Sequence, residues 1–379
     1  MANSSFESWT YEEQEEYLYQ PAMEAPEGLV SNLDDPPQET SLGFSVTVAC
    51  SVIAGLALLL RIYSYAFFRR RLALQDLLAL FAMTTFGVML WPGYFMTYIG
   101  ALFVHQWDID RWTLADALYM GHIAATMYIL TMFFAQSAIL LELIRIFIPG
   151  NVHIFVPGHT HSKFFWVCRG TQFVVAIYWI SVLIFQQFWC RPLSRAWSPW
   201  ASGSCIDRKV VDKLSAYINI FIDLIIYILP QTIIWRLNSS ILIKTTQSLA
   251  FSFALISLAL AIARTHNLHS FVYDGDTNYS LSSAYLWALG ECLSVILVYC
   301  APSVYHIITD PKMPPGFNRP ETDTEAVLRN QHRPATEIDG REPAQIILGL
   351  LTYRMKTDTK GWKIPSSLSY LRPGDQEMY

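Results

Sequence analysis

The chain has 379 residues, of which 53% are hydrophobic and only 15% charged, and its formal net charge is −5. A typical soluble domain is about 45–50% apolar and about 25% charged, so this composition indicates a lipid environment. The first 60 residues carry ten carboxylates and no Lys or Arg, so a net charge of +5 is spread over the rest of the chain without a basic stripe. We therefore expect no nucleic-acid partner.

Long apolar stretches follow this acidic segment. The first, residues 42–60, holds 19 consecutive uncharged residues, close to the roughly 20 that a helix needs to cross about 30 Å of hydrocarbon. Because backbone polar groups in lipid are satisfied only in a helix or a closed barrel, and these stretches show no strand-like alternation, we predict helices. Seven are predicted, at about 42–66, 72–99, 114–147, 165–189, 214–235, 245–265 and 282–308.

The predicted fold is thus an all-α, multi-pass membrane protein with a bundle of seven transmembrane helices, in the plasma membrane or an endomembrane. Residues 1–41 form an acidic extracytosolic tail and residues 42–309 the membrane domain. Residues 310–379 are rich in Pro and in balanced charge, which predicts a largely disordered cytosolic tail.

The distribution of cations sets the predicted orientation. With the N-terminus outside the cytosol, 19 of the 26 Lys and Arg residues fall on the cytosolic side, as the positive-inside rule requires. Five of the other seven lie against that rule in the loop between the fourth and fifth predicted helices: Arg191, Arg195, Arg208, Lys209 and Lys213.

Two cysteines flank the same outer loop, Cys190 and Cys205, and they predict a disulfide, with two unpaired thiols as the alternative. Closing a loop of about 15 residues stabilises the fold by roughly 3 kcal/mol in the chain-entropy model. Sequons at Asn3 and Asn278 map outside and one at Asn238 maps inside. We predict a glycan at Asn3, whereas Asn278 is a candidate that lies close to the seventh helix.

A Pro-Gly pair, Pro92-Gly93, interrupts the second predicted helix. We expect a kink there, with neighbouring helices satisfying the freed backbone groups. At the end of the third predicted helix, Glu142 and Arg145 are spaced to form an ion pair on one face.

Asp223 and Glu291 lie near the middle of two predicted membrane helices. An ionisable group at this depth costs about 2.5–3.5 kcal/mol on insertion scales and is a functional candidate by default. One interpretation is a shared buried polar site for a ligand or for proton transfer. The other is that each carboxyl hydrogen-bonds a Ser, Thr or Tyr of a neighbouring helix and fixes packing. With Asp276, these two residues are the candidate catalytic groups.

The predicted outer mouth of the bundle carries aromatic and polar side chains that could contact a ligand: His105, Trp107, Asp108 and Trp287. The same region holds Asp110, His266, His269 and Asp274, but the spacing does not favour a metal, and we predict none. No lysine lies between Lys244 and Lys312, so retinal, which needs a helix-seven lysine, is excluded. No nucleotide or hydrolase motif is present, and we predict no cofactor.

The order of motifs over about residues 43–310 resembles the fungal rhodopsin-domain family, which is named for its seven-helix outline. The resemblance rests on these residues: Arg61 with Asp76, His105-Gln106-Trp107-Asp108, Arg145-Ile146-Phe147, Cys190-Arg191-Pro192, Trp197, Cys205-Ile206, Asp223, Pro230, Trp235, Leu237, Arg264, Asp276-Thr277, Trp287, Glu291 and Cys300-Ala301-Pro302.

The chain departs from that family at three places. Family members usually carry paired aspartates where this chain has Gln75-Asp76, a Gly-x-Gly where it has Gly100-Ala101-Leu102, and a lysine where it has Gln136. If those groups carry a common family activity, the resemblance implies that this protein has changed it.

The resemblance implies two kinds of role, because some members are receptor-like and others are encoded in secondary-metabolite clusters such as the satratoxin cluster. Residues 1–41 contain no Cys-rich module of the kind that receptor-like relatives carry. Our first hypothesis is therefore an accessory membrane protein of secondary-metabolite biosynthesis with a small lipophilic metabolite as its ligand. The alternatives are a ligand-sensing receptor with a cytosolic signalling partner, and a membrane enzyme using acid-base chemistry on a lipophilic intermediate.

Overall fold

The computed structural model describes residues 6–34, 36, 40–68, 73–147, 163–235, 253–271 and 275–309. Over these ranges the chain is almost entirely helical. The α-helices are α1 (Tyr11–Leu18), α2 (Thr40–Phe68), α3 (Leu74–Tyr98), α4 (Arg111–Phe147), α5 (Lys163–Phe188), α6 (Arg208–Ile234), α7 (Phe253–His269) and α8 (Thr277–Thr309). Short 3-10 turns span Phe6–Ser8, Gln106–Asp108 and Leu193–Ala196, and the strands β1 (Cys190–Arg191) and β2 (Ser204–Cys205) pair antiparallel.

Among the residues that the structure describes, six helices, α2 to α6 and α8, are long and apolar enough to cross a membrane. The chain is therefore a multi-pass membrane protein, as the composition predicts. Helix α7 corresponds to the sixth predicted crossing and contributes 17 residues to the described structure, and residues 245–252 of that prediction lie outside the described ranges. The count of seven crossings stays a prediction here.

Two helices begin about one and a half turns earlier than the sequence predicts. Helix α6 starts at Arg208 rather than at residue 214, and α8 at Thr277 rather than at residue 282. Polar first turns explain both differences, because hydropathy detects only the part of a helix that lies in hydrocarbon. In α6 the early turn is stabilised by an ion pair at i,i+4 spacing, with Arg208 Nε 3.3 Å from Asp212 Oδ2.

Helices α4 and α8 form the centre of the bundle. Within the most apolar 18-residue window of each span, 78% of α4 and 67% of α8 are buried. The corresponding share in the other four spans is at most 39%. The outer helices instead expose large apolar side chains such as Val52 of α2 and Phe173 of α5. Apolar surface of this extent is unfavourable in water and suits contact with lipid.

Helix α3 continues through Pro92 with help from a side chain of α8. The Tyr285 hydroxyl accepts a hydrogen bond from the Gly93 N–H (3.2 Å) and donates to the Met89 carbonyl (3.0 Å). These two backbone groups are the donor and the acceptor of the helical hydrogen bond next to the proline. A side chain of a neighbouring helix therefore binds backbone groups directly beside Pro92, the kind of support by which a membrane helix tolerates a proline.

One end of the bundle, which we call the disulfide end, carries the loop between α5 and α6 and the loop between α3 and α4. Cys190 and Cys205 form the predicted disulfide there. The N-terminal segment packs on the same end: the Ala22 N–H donates to the Ile109 carbonyl (2.9 Å), and the Tyr17 ring contacts Trp200. The acidic segment is thus folded in part, and it contains α1, which the hydropathy pattern did not predict.

Gly93→Ala is expected to destabilise the bundle. A Cβ at this position would lie 2.6 Å from the Tyr285 hydroxyl oxygen, a clash of the kind that typically costs about 1–3 kcal/mol in a packed core. Gly87→Ala, in the same helix with no atom within 4 Å of its added Cβ, is the matched control and stabilises α3 by up to about 1 kcal/mol through helix propensity. Thermal unfolding midpoints in detergent measure both, and equal shifts for the two variants would contradict this account.

Candidate functional site

A cavity of about 860 Å³ extends from the disulfide end into the bundle. Helices α3 to α8 contribute to its wall, which is largely apolar. Its apolar lining includes Met89, Met96, Leu118, Ile129, Val182 and Phe185. Three further lining residues, Tyr128, Trp179 and Arg264, contact the buried polar groups of the bundle, and we call these three residues the floor.

Behind the floor, Arg264 forms a buried ion pair with Glu291. Arg264 Nε lies 2.6 Å from Glu291 Oε2, and the other oxygen, Oε1, accepts from the Asn219 amide at 2.6 Å. Glu291 is fully buried, while 16% of the Arg264 side chain remains exposed. The guanidinium also lies over the Tyr128 ring, 4.9 Å from its centroid, which fixes its plane by a cation–π contact.

Asp223 belongs to the same polar cluster but has a separate partner. Its Oδ1 accepts from the Gln136 amide at 2.9 Å, and Gln136 Oε1 accepts from the Trp179 indole N–H at 2.7 Å. Asn219 and Asp223 are one turn apart on α6 and therefore lie on one face. The two predicted carboxyls thus share a site, each with its own amide partner, and in the described structure neither side chain binds a Ser, Thr or Tyr.

Three oxygens of this cluster are buried without a hydrogen-bond partner among the described residues: Tyr128 Oη, Asn219 Oδ1 and Asp223 Oδ2. Buried polar atoms in native proteins are nearly always paired. The cluster therefore holds unused hydrogen-bonding capacity beside the cavity.

Sequence reasoning did not single out Arg264, Gln136, Tyr128 or Trp179 as site residues. Arg264 directly follows the apolar stretch 245–263, where a cation resembles an ordinary helix end. The structure shows that α7 continues to His269, which places the guanidinium inside a helix. Gln136 was identified only as a departure from the family pattern.

Three predicted residues near the mouth, His105, Trp107 and Asp276, pack around the start of α8 and are not part of the cavity wall. Asp276 accepts from the Gln106 N–H at 2.9 Å and lies 2.5 Å from His105 Nδ1. The His105 ring stacks between Trp107 and Tyr279, with centroids 4.3 and 4.7 Å away. His105, Trp107 and Asp276 therefore fix the α3–α4 loop against the start of α8.

Asp108 and Trp287, the two other candidates for ligand contact, are also not part of the cavity wall. Asp108 is 4% exposed, and its Oδ1 accepts from the Asn32 backbone N–H at 2.9 Å. It anchors the N-terminal segment. Trp287 is 37% exposed on α8 and is not part of the cavity wall, because it lies on the outward face of that helix.

At the end of the bundle opposite the disulfide, a second polar network joins four helices. Arg61 of α2 contacts Asp76 of α3 and the Tyr299 hydroxyl of α8, both at 2.5 Å. The Gln75 amide donates to Glu142 of α4 at 3.3 Å. The predicted pair of Glu142 with Arg145 is confirmed, with the closest N–O distance at 3.9 Å.

Burial speaks against glycosylation at Asn278. The residue is fully buried as the second residue of α8, and its amide nitrogen donates to the carbonyls of Ala101 and Val104, both at 2.8 Å. Asn3 and Asn238 lie outside the described residues, as does Asp274. Within the described ranges, no three His, Cys, Asp or Glu side chains come together in a group that could hold a metal ion.

Comparison with known proteins adds an independent result. A family model described as the fungal rhodopsin domain matches residues 60–310. "Fugralins biosynthesis cluster protein 2" of Gibberella zeae is 28% identical over 291 residues, which cover 76% of this chain and 71% of that protein. A "SAT4 family membrane protein" of Emericella nidulans is 28% identical over 127 residues, 34% of this chain and 31% of its own length.

No solved structure matches the chain significantly. The family match covers most of the membrane domain, including α3 to α6, the disulfide loop and the polar cluster behind the cavity. The resemblance that the motifs predict is confirmed, and the chain belongs to the fungal rhodopsin-domain family.

Proposed function

We propose that this protein is an accessory membrane protein of fungal secondary-metabolite biosynthesis that binds a lipophilic metabolite in the cavity. The cavity itself carries the proposal. Its volume of about 860 Å³ falls within the roughly 300–1,000 Å³ typical of small-molecule sites. Apolar walls with a few polar groups at the floor are the arrangement expected for a ligand with an apolar body.

The biosynthetic context is supported by the relative from Gibberella zeae, whose name places it in a biosynthesis cluster. A metabolite made in such a cluster is a small molecule, and one that enters this cavity from the bilayer or its interface must be largely apolar. Retention or delivery of an intermediate requires binding alone.

We further propose seven crossings, with α7 as part of the sixth, the N-terminus outside the cytosol and the C-terminal tail inside. The N-terminal segment contacts the disulfide loop, so both lie on one side, and a disulfide is typical of an extracytosolic compartment. Arg61 and Arg145 lie at the opposite end, as the positive-inside rule expects of a cytosolic face.

Glycan mapping tests this orientation. We expect treatment with peptide-N-glycosidase to increase the electrophoretic mobility of the native protein, because only an extracytosolic sequon is glycosylated. In Asn3→Gln this shift should be absent. Asn238→Gln is the matched control and leaves the shift unchanged. A glycan on Asn238 would reverse the proposed topology.

Filling the cavity is expected to abolish the biosynthetic role. Deletion of the gene should change the profile of secondary metabolites, and the wild-type gene should restore it. Ala125→Phe adds a ring at a lining position of α4 and should fail to restore the profile, because it occupies space that the metabolite needs. Metabolite profiling by mass spectrometry under producing conditions measures the result.

The control for this experiment is Val174→Phe, which adds a ring on the outward face of α5, where Val174 is 53% exposed. It should restore the profile as the wild type does. An unchanged profile in the deletion strain would sink the biosynthetic role, and full rescue by Ala125→Phe would separate that role from the cavity.

A ligand-sensing receptor is the second candidate, and the polar network at the opposite end favours it. Arg61, Asp76 and Tyr299 join α2, α3 and α8, while Gln75 and Glu142 join α3 and α4. Helices α3, α4 and α8 also line the cavity. A ligand that shifts them is thus connected to contacts at the proposed cytosolic face.

If the protein is a receptor, Tyr299→Phe is expected to change its coupling to a cytosolic partner while leaving ligand binding intact. The variant removes the hydroxyl that donates to Asp76 at 3.1 Å and so alters the balance between conformations. A partner-recruitment assay with and without ligand measures this. Equal recruitment in the wild type, in Tyr299→Phe and in a ligand-free sample would remove the receptor hypothesis.

The geometry offers less to the enzyme hypothesis. The predicted acid-base groups, Asp223, Glu291 and Asp276, all accept hydrogen bonds from other protein groups, and none belongs to the cavity wall. A general acid must reach the reacting atom within hydrogen-bond distance. We therefore limit the proposal to binding.

A further inference from the structure

The charged residues of the cavity wall are mostly cations. Arg195, Arg208, Lys209 and Arg264 line it, against two carboxylates, Asp207 and Asp212. The first three belong to the segment between the fourth and fifth predicted crossings, whose five cations go against the positive-inside rule in the proposed orientation. A position at the cavity gives these three a role that topology does not explain, whereas Arg191 and Lys213 are not part of the wall.

Arg264 is held so that its terminal amino groups remain available. Its Nε donates a hydrogen bond to Glu291, and neither terminal nitrogen forms a hydrogen bond with another described residue. Asn219 holds the opposite oxygen of Glu291, and the Tyr128 ring supports the guanidinium plane. An arginine fixed from behind in this way presents a fork of donors, the arrangement that binds a carboxylate through two hydrogen bonds.

We propose that the cavity takes an apolar molecule bearing one carboxylate, with the anion bound by the terminal amino groups of Arg264. The inference rests on the proposed binding function and names the chemical class of its ligand. The apolar walls accommodate the body of the molecule. Near the disulfide end, Arg195, Arg208 and Lys209 stand against Asp207 and Asp212, with Arg208 paired to Asp212. The one net positive charge that remains attracts the anion and raises its local concentration at the entrance.

Glu291 does not cancel this preference. The carboxylate is fully buried behind Arg264, outside the wall, and both its oxygens already accept hydrogen bonds. A ligand therefore meets the donor side of the ion pair. An amine at the same place would approach the guanidinium and be repelled, and an alcohol would form a weaker hydrogen bond than an anion does.

Three probes that share one apolar body test the proposal: pyrenebutanoate, pyrenebutanol and pyrenebutylamine. The full-length protein is placed in nanodiscs of zwitterionic lipid at neutral pH, and energy transfer from tryptophan to pyrene, corrected with protein-free discs, measures each Kd. Trp179 and Trp189 line the cavity and serve as donors. We expect the acid to bind about tenfold more tightly than the alcohol, since hydrogen bonds to an ionised acceptor are stronger than those to a neutral one, and the amine to bind most weakly.

Three variants locate the effect. Arg264→Gln with Glu291→Gln removes both charges without leaving a buried ion unpaired, and it should abolish the preference for the acid while retaining alcohol binding. Arg208→Gln should weaken the acid alone and reduce the salt dependence of its association. Lys213→Gln is the matched control, because Lys213, like Arg208, lies near the start of α6 but is not part of the cavity wall.

The outcomes separate the two proposals. If no probe binds above the protein-free discs, the binding function itself fails. If the acid and the alcohol bind equally in the wild type, or if Lys213→Gln lowers the affinity for the acid as much as Arg208→Gln does, the anion proposal fails and binding stands. Should the double variant not fold, Arg264→Lys, which keeps the charge but loses the fork, is expected to lose most of the acid preference, and an unchanged preference would overturn the role of Arg264.

Discussion

The buried ion pair between Arg264 and Glu291 is the interaction on which the polar interior of the bundle depends. Each charge alone would be strongly unfavourable in a low-dielectric bundle, and removing one partner from such a pair typically costs about 3–5 kcal/mol. The pair joins α7 to α8, and Asn219 adds α6 through the second oxygen of Glu291. Three helices must therefore keep one relative position for the charges to remain satisfied. The constraint is directional, unlike the apolar packing around it, so it selects one arrangement among several that would bury similar area.

The same pair also determines what the cavity presents. Because Glu291 engages Arg264 from behind, the guanidinium forms part of the floor, and the aromatic rings of Tyr128 and Trp179 complete it. Trp179 is itself oriented by Gln136, which also binds Asp223. The floor is thus supported by groups from five helices, α4 to α8. A binding site built on rigid helices with a second layer of hydrogen bonds keeps its geometry better than one built on loops.

How far the sequence predicts this structure differs between its parts. Six of the spans, the disulfide between Cys190 and Cys205 and the burial of Asp223 and Glu291 within the bundle follow from local chemistry, because each depends on the residue itself or on a short loop. The mouth residues could not be interpreted in this way. Asp108 anchors Asn32, and His105 contacts Asp276 more than a hundred residues away along the chain. Residue type indicates what a side chain can bind, whereas only the fold decides whether its partner is the protein or a ligand. Helix α1 is a different case, since Thr10 and Glu13 form a capping box that its spacing could have indicated.

The features that depart from ordinary membrane-protein rules converge on one region. Asp223 and Glu291 lie near the middle of two apolar helices, where a carboxylate is costly, and in the proposed orientation the segment between α5 and α6 carries cations that the positive-inside rule disfavours. In the structure both groups adjoin the cavity: the carboxylates stand behind its floor, and Arg195 and Arg208 form part of its wall. If these carboxylates and arginines served packing alone, there would be no physical reason for both to lie next to the same cavity. Local rules are broken mainly where a function compensates for the cost, and this coincidence favours the cavity over any other part of the described bundle as the place where the protein acts.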